Sequence, residues 1–267
     1  MCILCDAQPR GLVGLPRGLA FDRANKPFSK AAVMRARRAE ESYARELRGV
    51  ARQVGNLVRG TFQPGDLGWA VGITDALNRY AKVIEPWADA VGRRMLADVA
   101  ARDRKMWLDA GRQIGRALHA EIEGAPTGAL MQARLAEQVQ LITSLPTEAG
   151  QRVHKLTVES LTNGTRAEQI AQEIMRSGDV AASRANMIAR TEVGRTQAEL
   201  VSARSQAIGS THFNWRTVGD SDVRRDHRAL DGKTFEWNAP PVADKRTGAR
   251  ALPGAIYNCR CYAEPVL

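Results

Sequence analysis

From Ser29 to Arg59 the apolar residues Tyr43, Leu47, Val50, Val54, Leu57 and Val58 recur at intervals of three and four, the spacing that lays side chains along one stripe of an α-helix. Gly60 and Pro64-Gly65 end it. A second stripe, Ile73, Leu77, Tyr80, Ile84, Trp87, Val91 and Met95, contains Pro86, which lacks a donor and should bend or split the helix. Met106, Ala110, Ile114, Leu118 and Ile122 continue the pattern to Gly124 and Pro126. Another helix is expected from Gly128 to Thr143, stopped by Pro146, after which Thr147 can cap one that ends near Asn163-Gly164. Thr165 and Glu168 have capping-box spacing before Ile170 and Ile174, and a further helix is expected from Val180 to Ile208.

After Gly209 the periodicity changes to alternation, with Phe213, Trp215 and Thr217 on one side of a strand. Asp220 to Asp222 should turn the chain into a short segment holding His227. Leu230-Asp231-Gly232 is a second turn signal before a partner strand from Lys233 to Trp237. Residues 238 to 254, rich in Pro, Gly and charge, read as a long loop, and a final strand is expected from Ile256 to Ala263. The fold class is therefore α+β: an elongated, mainly helical N-terminal domain over residues 28 to 185, then a small mixed α/β C-terminal domain over residues 186 to 267. No internal repeat or low-complexity tract is visible.

Composition adds an extended arm. Residues 1 to 27 hold Pro9, Gly11, Gly14, Pro16, Gly18 and Pro27 among scattered arginines, with little apolar surface to bury. The net charge is +10, and residues 1 to 60 carry twelve Lys or Arg against five Asp or Glu. Such an excess favours an anionic partner, since Lys and Arg gain free energy by releasing counterions from nucleic acid; a solvated helix face accounts for a basic run equally well. No apolar run reaches the roughly 20 residues needed to span a bilayer, so a protein made in the cytoplasm, with no membrane partner, is expected.

The cysteines are Cys2, Cys5, Cys259 and Cys261, a C-x2-C and a C-x-C at opposite ends rather than a secreted disulfide framework. In a strand, Cys259 and Cys261 would face the same way and could deliver two ligands to one metal. Zinc needs two more donors, and free thiols, an assembly-linked disulfide or hydrogen-bonded structural residues explain the pair as well. His119, His154 and His212 read as ordinary surface or boundary residues. No Walker loop, G-x-G-x-x-G, H-E-x-x-H or G-x-S-x-G is present. Asp220, Asp222, Asp226 and Asp231 beside Arg224 and Arg225 are most simply local ion-pairing groups.

In their order and spacing, Ile188-Ala-Arg-Thr-Glu192-Val-Gly-Arg195, then Trp215, then Asp222-Val-Arg224-Arg-Asp-His227, then Leu230-Asp-Gly232, and the closing Pro253-Gly254 and Asn258-Cys259-Arg-Cys261 resemble the C-terminal domain of the phage Mu F-like minor head proteins. The resemblance covers residues 185 to 267 by motif. It implies a structural minor head protein of a tailed bacteriophage, in the capsid interior near the portal vertex of the virion. The role would be head morphogenesis, with genome packaging or delivery. The partners would be the portal protein, the major capsid protein or other head proteins; double-stranded DNA through the basic N-terminal region is expected from the charge excess rather than from the resemblance.

The same resemblance brings His227 to Cys259 and Cys261 as candidate ligands of a structural zinc; apart from it, the spacing of Cys2 and Cys5 offers an all-cysteine alternative with Cys259 and Cys261 should the N-terminus fold back. Some relatives carry ligands where this chain has Arg224 and Ile256. Glu192 and Arg195, three apart on a helix, are expected to pair with each other or to orient a neighbouring loop; Trp215, Asp222, Arg224 and Gly232 complete the structural motif. The competing class is an enzyme, a metal-dependent hydrolase or toxin-like protein centred on His227, Cys259 and Cys261. A third reading, a host nucleic-acid-binding protein, lacks a recognition-helix motif.

Overall fold

A computed structural model describes residues 30–61, 69–114, 125–163 and 167–266. Among the described residues six long or medium helices come first: α1 (Lys30–Thr61), α2 (Trp69–Val83), α3 (Glu85–Ile114), α4 (Thr127–Asn163), α5 (Ala167–Met175) and α6 (Ser177–Ala207). Then follow β1 (His212–Arg216), the single turn α7 (Arg225–Arg228), β2 (Thr234–Glu236), β3 (Val242–Asp244), β4 (Ala249–Arg250) and β5 (Tyr262–Val266). The class is α+β. The arm, the segment from Leu118 to Ile122 and the Thr165 cap lie outside the described residues.

Each helix forms where its apolar stripe can be buried. Tyr43, Leu47, Val50, Val54 and Val58 of α1 are all buried. With Ile84, Val91, Met95, Ile142, Leu145, Ile188, Val193 and Leu200, the first three of these build one core. Val54 and Val58 join Ile73, Leu77, Val153, Ile170 and Ile174 in a second core. The backbones of α1 and α6 come so close that a Cβ on Gly178 would lie 2.8 Å from Gly55 Cα, a spacing no larger residue tolerates without movement.

The two prolines behave differently. Pro86 does split the second stripe: it sits in the first turn of α3, where a missing N–H goes unmissed. Across the break Ile84 N–H still donates to Tyr80 O at 3.1 Å and Ala88 N–H to Ile84 O at 2.8 Å. Pro146 does not stop a helix, contrary to expectation, because α4 runs unbroken from Thr127 to Asn163. Ile142 and Leu145 before it and Ala149 and Val153 after it are buried in adjoining cores, and that burial outweighs the hydrogen bond that Pro146 cannot make. Thr147, expected as a cap, donates its hydroxyl back to Thr143 O at 3.0 Å within the helix.

Gly209, at φ +85°, ends α6. The chain then enters a three-stranded antiparallel sheet of order β2-β1-β5, with Phe213 opposite Phe235 and Pro265, and Trp215 opposite Ala263. Two expectations fail here. The stretch from 238 to 254 contains a small antiparallel hairpin, β3 with β4, Val242 opposite Arg250. The final strand also starts later, at Tyr262, because Gly254 at φ +94° and Asn258 at φ +54° turn the preceding residues out of extended pairing. Phe213, Trp215, Trp237, Ile256, Cys259 and Cys261 form a third core, to which α3 contributes Met106 and Trp107, α6 contributes Val201, and Ile208 joins just past the end of α6.

Candidate metal centre

The turn at Asp220–Asp222 feeds α7, whose single turn points His227 inward to 2% exposure. The ring's Nε2 lies 2.8 Å from Ala243 O of β3. A carbonyl can only accept, so Nε2 carries the hydrogen and Nδ1 of the neutral ring presents a lone pair. That lone pair faces both thiols, with Cys259 Sγ at 3.4 Å and Cys261 Sγ at 3.5 Å. Trp215 packs against the imidazole at 5.3 Å between ring centres, 67° between planes. The cysteines lie just before β5 rather than in a strand. Their alternation still sends both side chains to the same core, leaving Arg260 between them to reach Asp220 at 2.7 Å and Asp222 at 3.3 Å.

Proximity splits the two thiols. The hydrogen bond from Cys261, reinforced by His227, lowers Cys259 to about 4, while the bond to Cys259 and burial push Cys261 up. The Cys259 side chain in turn raises His227 above its ordinary value, with burial and the Arg224 charge opposing. Cys261 N–H also donates to Cys259 Sγ at 3.4 Å. One sulfur thus holds negative charge readily beside an imidazole, the donor chemistry that zinc takes.

The ligand atoms of His227, Cys259 and Cys261 all lie within 4.8 Å of one another. A tetrahedral zinc with about 2.3 Å to sulfur and about 2.05 Å to nitrogen sets nitrogen and sulfur about 3.5 to 3.6 Å apart, so the donor spacing fits. The Nε2 bond to Ala243 O is the outer contact that fixes a ligating histidine. Three donors come together here. Arg224 donates from Nη2 to Tyr257 O at 2.6 Å and Ile256 is part of the core, so neither supplies a fourth. Cys2 and Cys5 lie outside the described residues.

The remaining motif residues hold this centre against the helices. Glu192, 3% exposed, accepts from Arg195 at 3.1 Å and from Gln138 Nε2 at 2.9 Å. Gln138 Oε1 accepts from the Tyr43 hydroxyl at 2.8 Å. Arg195 pairs with Glu192 and also reaches the loop, donating to Ala255 O at 3.4 Å. Arg134 lies 3.9 Å from Glu192 and pairs with Glu199. Gly232, at φ +77°, returns the chain so that its N–H meets Trp215 O at 2.8 Å.

Sequence reasoning placed Tyr43 on the apolar stripe but missed its hydrogen bond, and missed Gln138 and Arg134 altogether, because their partners lie far away along the chain. It also missed Gly194, where a Cβ would meet Gly254 O at 2.7 Å. The signal that could have found it is a glycine inside a long helix, unfavourable by about 1 kcal/mol relative to alanine.

Residues 151–264 match the family described as Phage Mu protein F like protein. An uncharacterized protein of Haemophilus influenzae is 30% identical over 132 residues, a stretch that is 49% of this chain and 28% of that relative. No solved structure matches the chain. The matched residues take in the end of α4, all of α5 and α6, the sheet up to Glu264, and the cluster of His227, Cys259 and Cys261. Through residues 151–264, therefore, this chain is similar to the phage Mu F-like family.

Proposed function

We propose that the chain is a structural minor head protein of a tailed bacteriophage. It would sit in the capsid interior near the portal vertex and act in head morphogenesis and in packaging or delivery of the genome. The match over residues 151–264 carries this reading. Among the described residues no helix is long and apolar enough to cross a membrane, which suits a partner inside a capsid. The helices of residues 28 to 185, then, dock on the portal or a neighbouring head subunit. Co-expression with the portal protein and size-exclusion chromatography should give co-migration, and mass spectrometry should find the chain in purified heads. Independent elution at micromolar concentration, with absence from heads, overturns the proposal.

His227, Cys259 and Cys261 would hold a structural zinc that ties the loop before β5 to α7. The donor spacing of 3.4 and 3.5 Å supports this reading. Burial of all three residues favours a closed structural site over the open position a hydrolase needs. Chain purified with zinc under reducing conditions should carry about one zinc by elemental analysis, and Cys259→Ser should lower both zinc content and melting temperature. A wild-type chain that takes up no zinc overturns it.

A further inference from the structure

The carboxylates of α1 are taken up by ion pairs. Glu40 meets Arg190 at 3.0 Å, Glu41 meets Arg37 at 3.3 Å and Glu46 meets Arg94 at 3.8 Å. Its other described arginines are not compensated in this way. Among the described residues no carboxylate pairs with Arg38, Arg45, Arg48, Arg52 or Arg59; Arg48 and Arg59 donate to the amide oxygens of Asn186 and Asn56, at 2.8 Å each. Arg38, Arg45, Arg52 and Arg59 are exposed and recur at every seventh position. That period keeps them on one face, about 10.5 Å apart over roughly 32 Å of helix axis, with a drift of about 20° per heptad.

We infer that this arginine row is a contact for the phosphate backbone of duplex DNA, bound without sequence preference. The inference deepens the head-protein reading and rests on it for a biological setting, the packaged genome. What lies between the arginines decides the kind of partner. Glu41, which is paired with Arg37, and the uncharged Ser42, Asn56 and Gly60 are exposed on the same side, whereas among the described residues the exposed large apolar ones, Val71, Val83, Val158, Val180, Tyr257 and Val266, all lie on other elements. A protein interface draws its energy from desolvated apolar and aromatic anchors, and the described residues of this face offer none. A phosphate backbone needs only guanidinium groups, which grip phosphate oxygens bidentately. Duplex DNA presents a charge about every 1.7 Å, so cations at a fixed spacing find phosphates in any register. The row is also close in length to one duplex turn of about 34 Å.

The full chain should bind a labelled mixed-sequence duplex of about 30 base pairs with an affinity that falls steeply as salt rises. Replacing Arg38→Gln, Arg45→Gln and Arg52→Gln together should reduce the logarithmic salt slope by about 0.9 for each phosphate no longer neutralised, roughly 2.7 in all, and weaken binding at least about tenfold near 0.1 M salt. A control of equal charge, Arg93→Gln, Arg176→Gln and Arg246→Gln, removes cations that pair with Asp89, Glu173 and Asp244 and should leave the slope in place. Should the first triple variant lose helical circular dichroism, the three single variants are read instead, each lowering the slope by about 0.9.

A wild-type slope retained by the stripe variants overturns the inference. So does a wild-type chain that ignores duplex, or one that binds poly-L-glutamate more tightly than duplex at equal salt. Whether the chain is found in purified heads is a separate measurement, and its failure would remove the head-protein reading without touching this one.

Discussion

At the scale of single residues, the centre depends on contacts that do not touch the sulfurs. Ala243 O selects the nitrogen of His227 that keeps its hydrogen, and Gly194 lets the loop around Gly254 approach α6. Gly194→Ala should force that loop outward and cost about 1–3 kcal/mol, the range of overpacking; chemical denaturation checks it, with a wild-type midpoint counting against the close contact. A second buried pair lies deeper. Arg204 Nε meets Asp103 Oδ2 at 2.6 Å, joining α6 to α3. Burial, against the pull of Arg204, raises the Asp103 carboxyl from 3.8 to about 6. Between those values the folded chain holds a proton that the unfolded chain has released. Its contribution to stability is therefore fully present below about pH 4 and declines by about 3 kcal/mol as pH rises through about 6. Urea titrations of the wild type and Asp103→Asn at pH 4 and pH 7 should differ in pH-dependence by about that amount.

Among elements, α4 shows how tertiary packing overrides a local breaker. Ile142 is fully buried one turn before Pro146, so Ile142→Ala should cost about 2–5 kcal/mol, read from thermal or urea unfolding; a loss under about 1 kcal/mol would mean the core there is loosely packed. The helical stripes of α1, α2 and α3 were legible because their period reports directly on the buried face, and Phe213 and Trp215 marked β1 in the same way. Pro146 was misread because its local cost is visible along the chain whereas the cores that offset it are assembled from other helices. The β3–β4 hairpin escaped notice because Val242–Asp244 and Ala249–Arg250 are too short for alternation to register. At the centre, the shared inward direction of Cys259 and Cys261 could be anticipated. The third partner came only from the motif resemblance, since nothing local links His227 to a loop more than thirty residues away.

For the whole molecule, α6 is the common member. Ala185, Ile188, Ala189, Val193 and Leu200 belong to the main helical core, while Val201, and Ile208 directly after the helix, belong to the core around the sheet. Met106 and Trp107 of α3 enter that second core as well. The helices and the sheet should therefore unfold together. Hydrogen exchange should give the amides of Phe213 and Trp215 nearly the same opening free energy as those of Leu200 and Val201, and a β1 that opens several kcal/mol more easily would contradict it. One continuous helix serving two cores also keeps them in phase. Each residue of helix turns the chain by about 100° and advances it about 1.5 Å. A one-residue insertion near Ala198 would swing the cysteine-bearing unit by more than a quarter turn against the helices. Seven residues would restore the direction while displacing it by about 10.5 Å. Length variation along this part of the chain is therefore confined by rotation more tightly than by distance, and the loops, which carry no such angular memory, are where it can be absorbed.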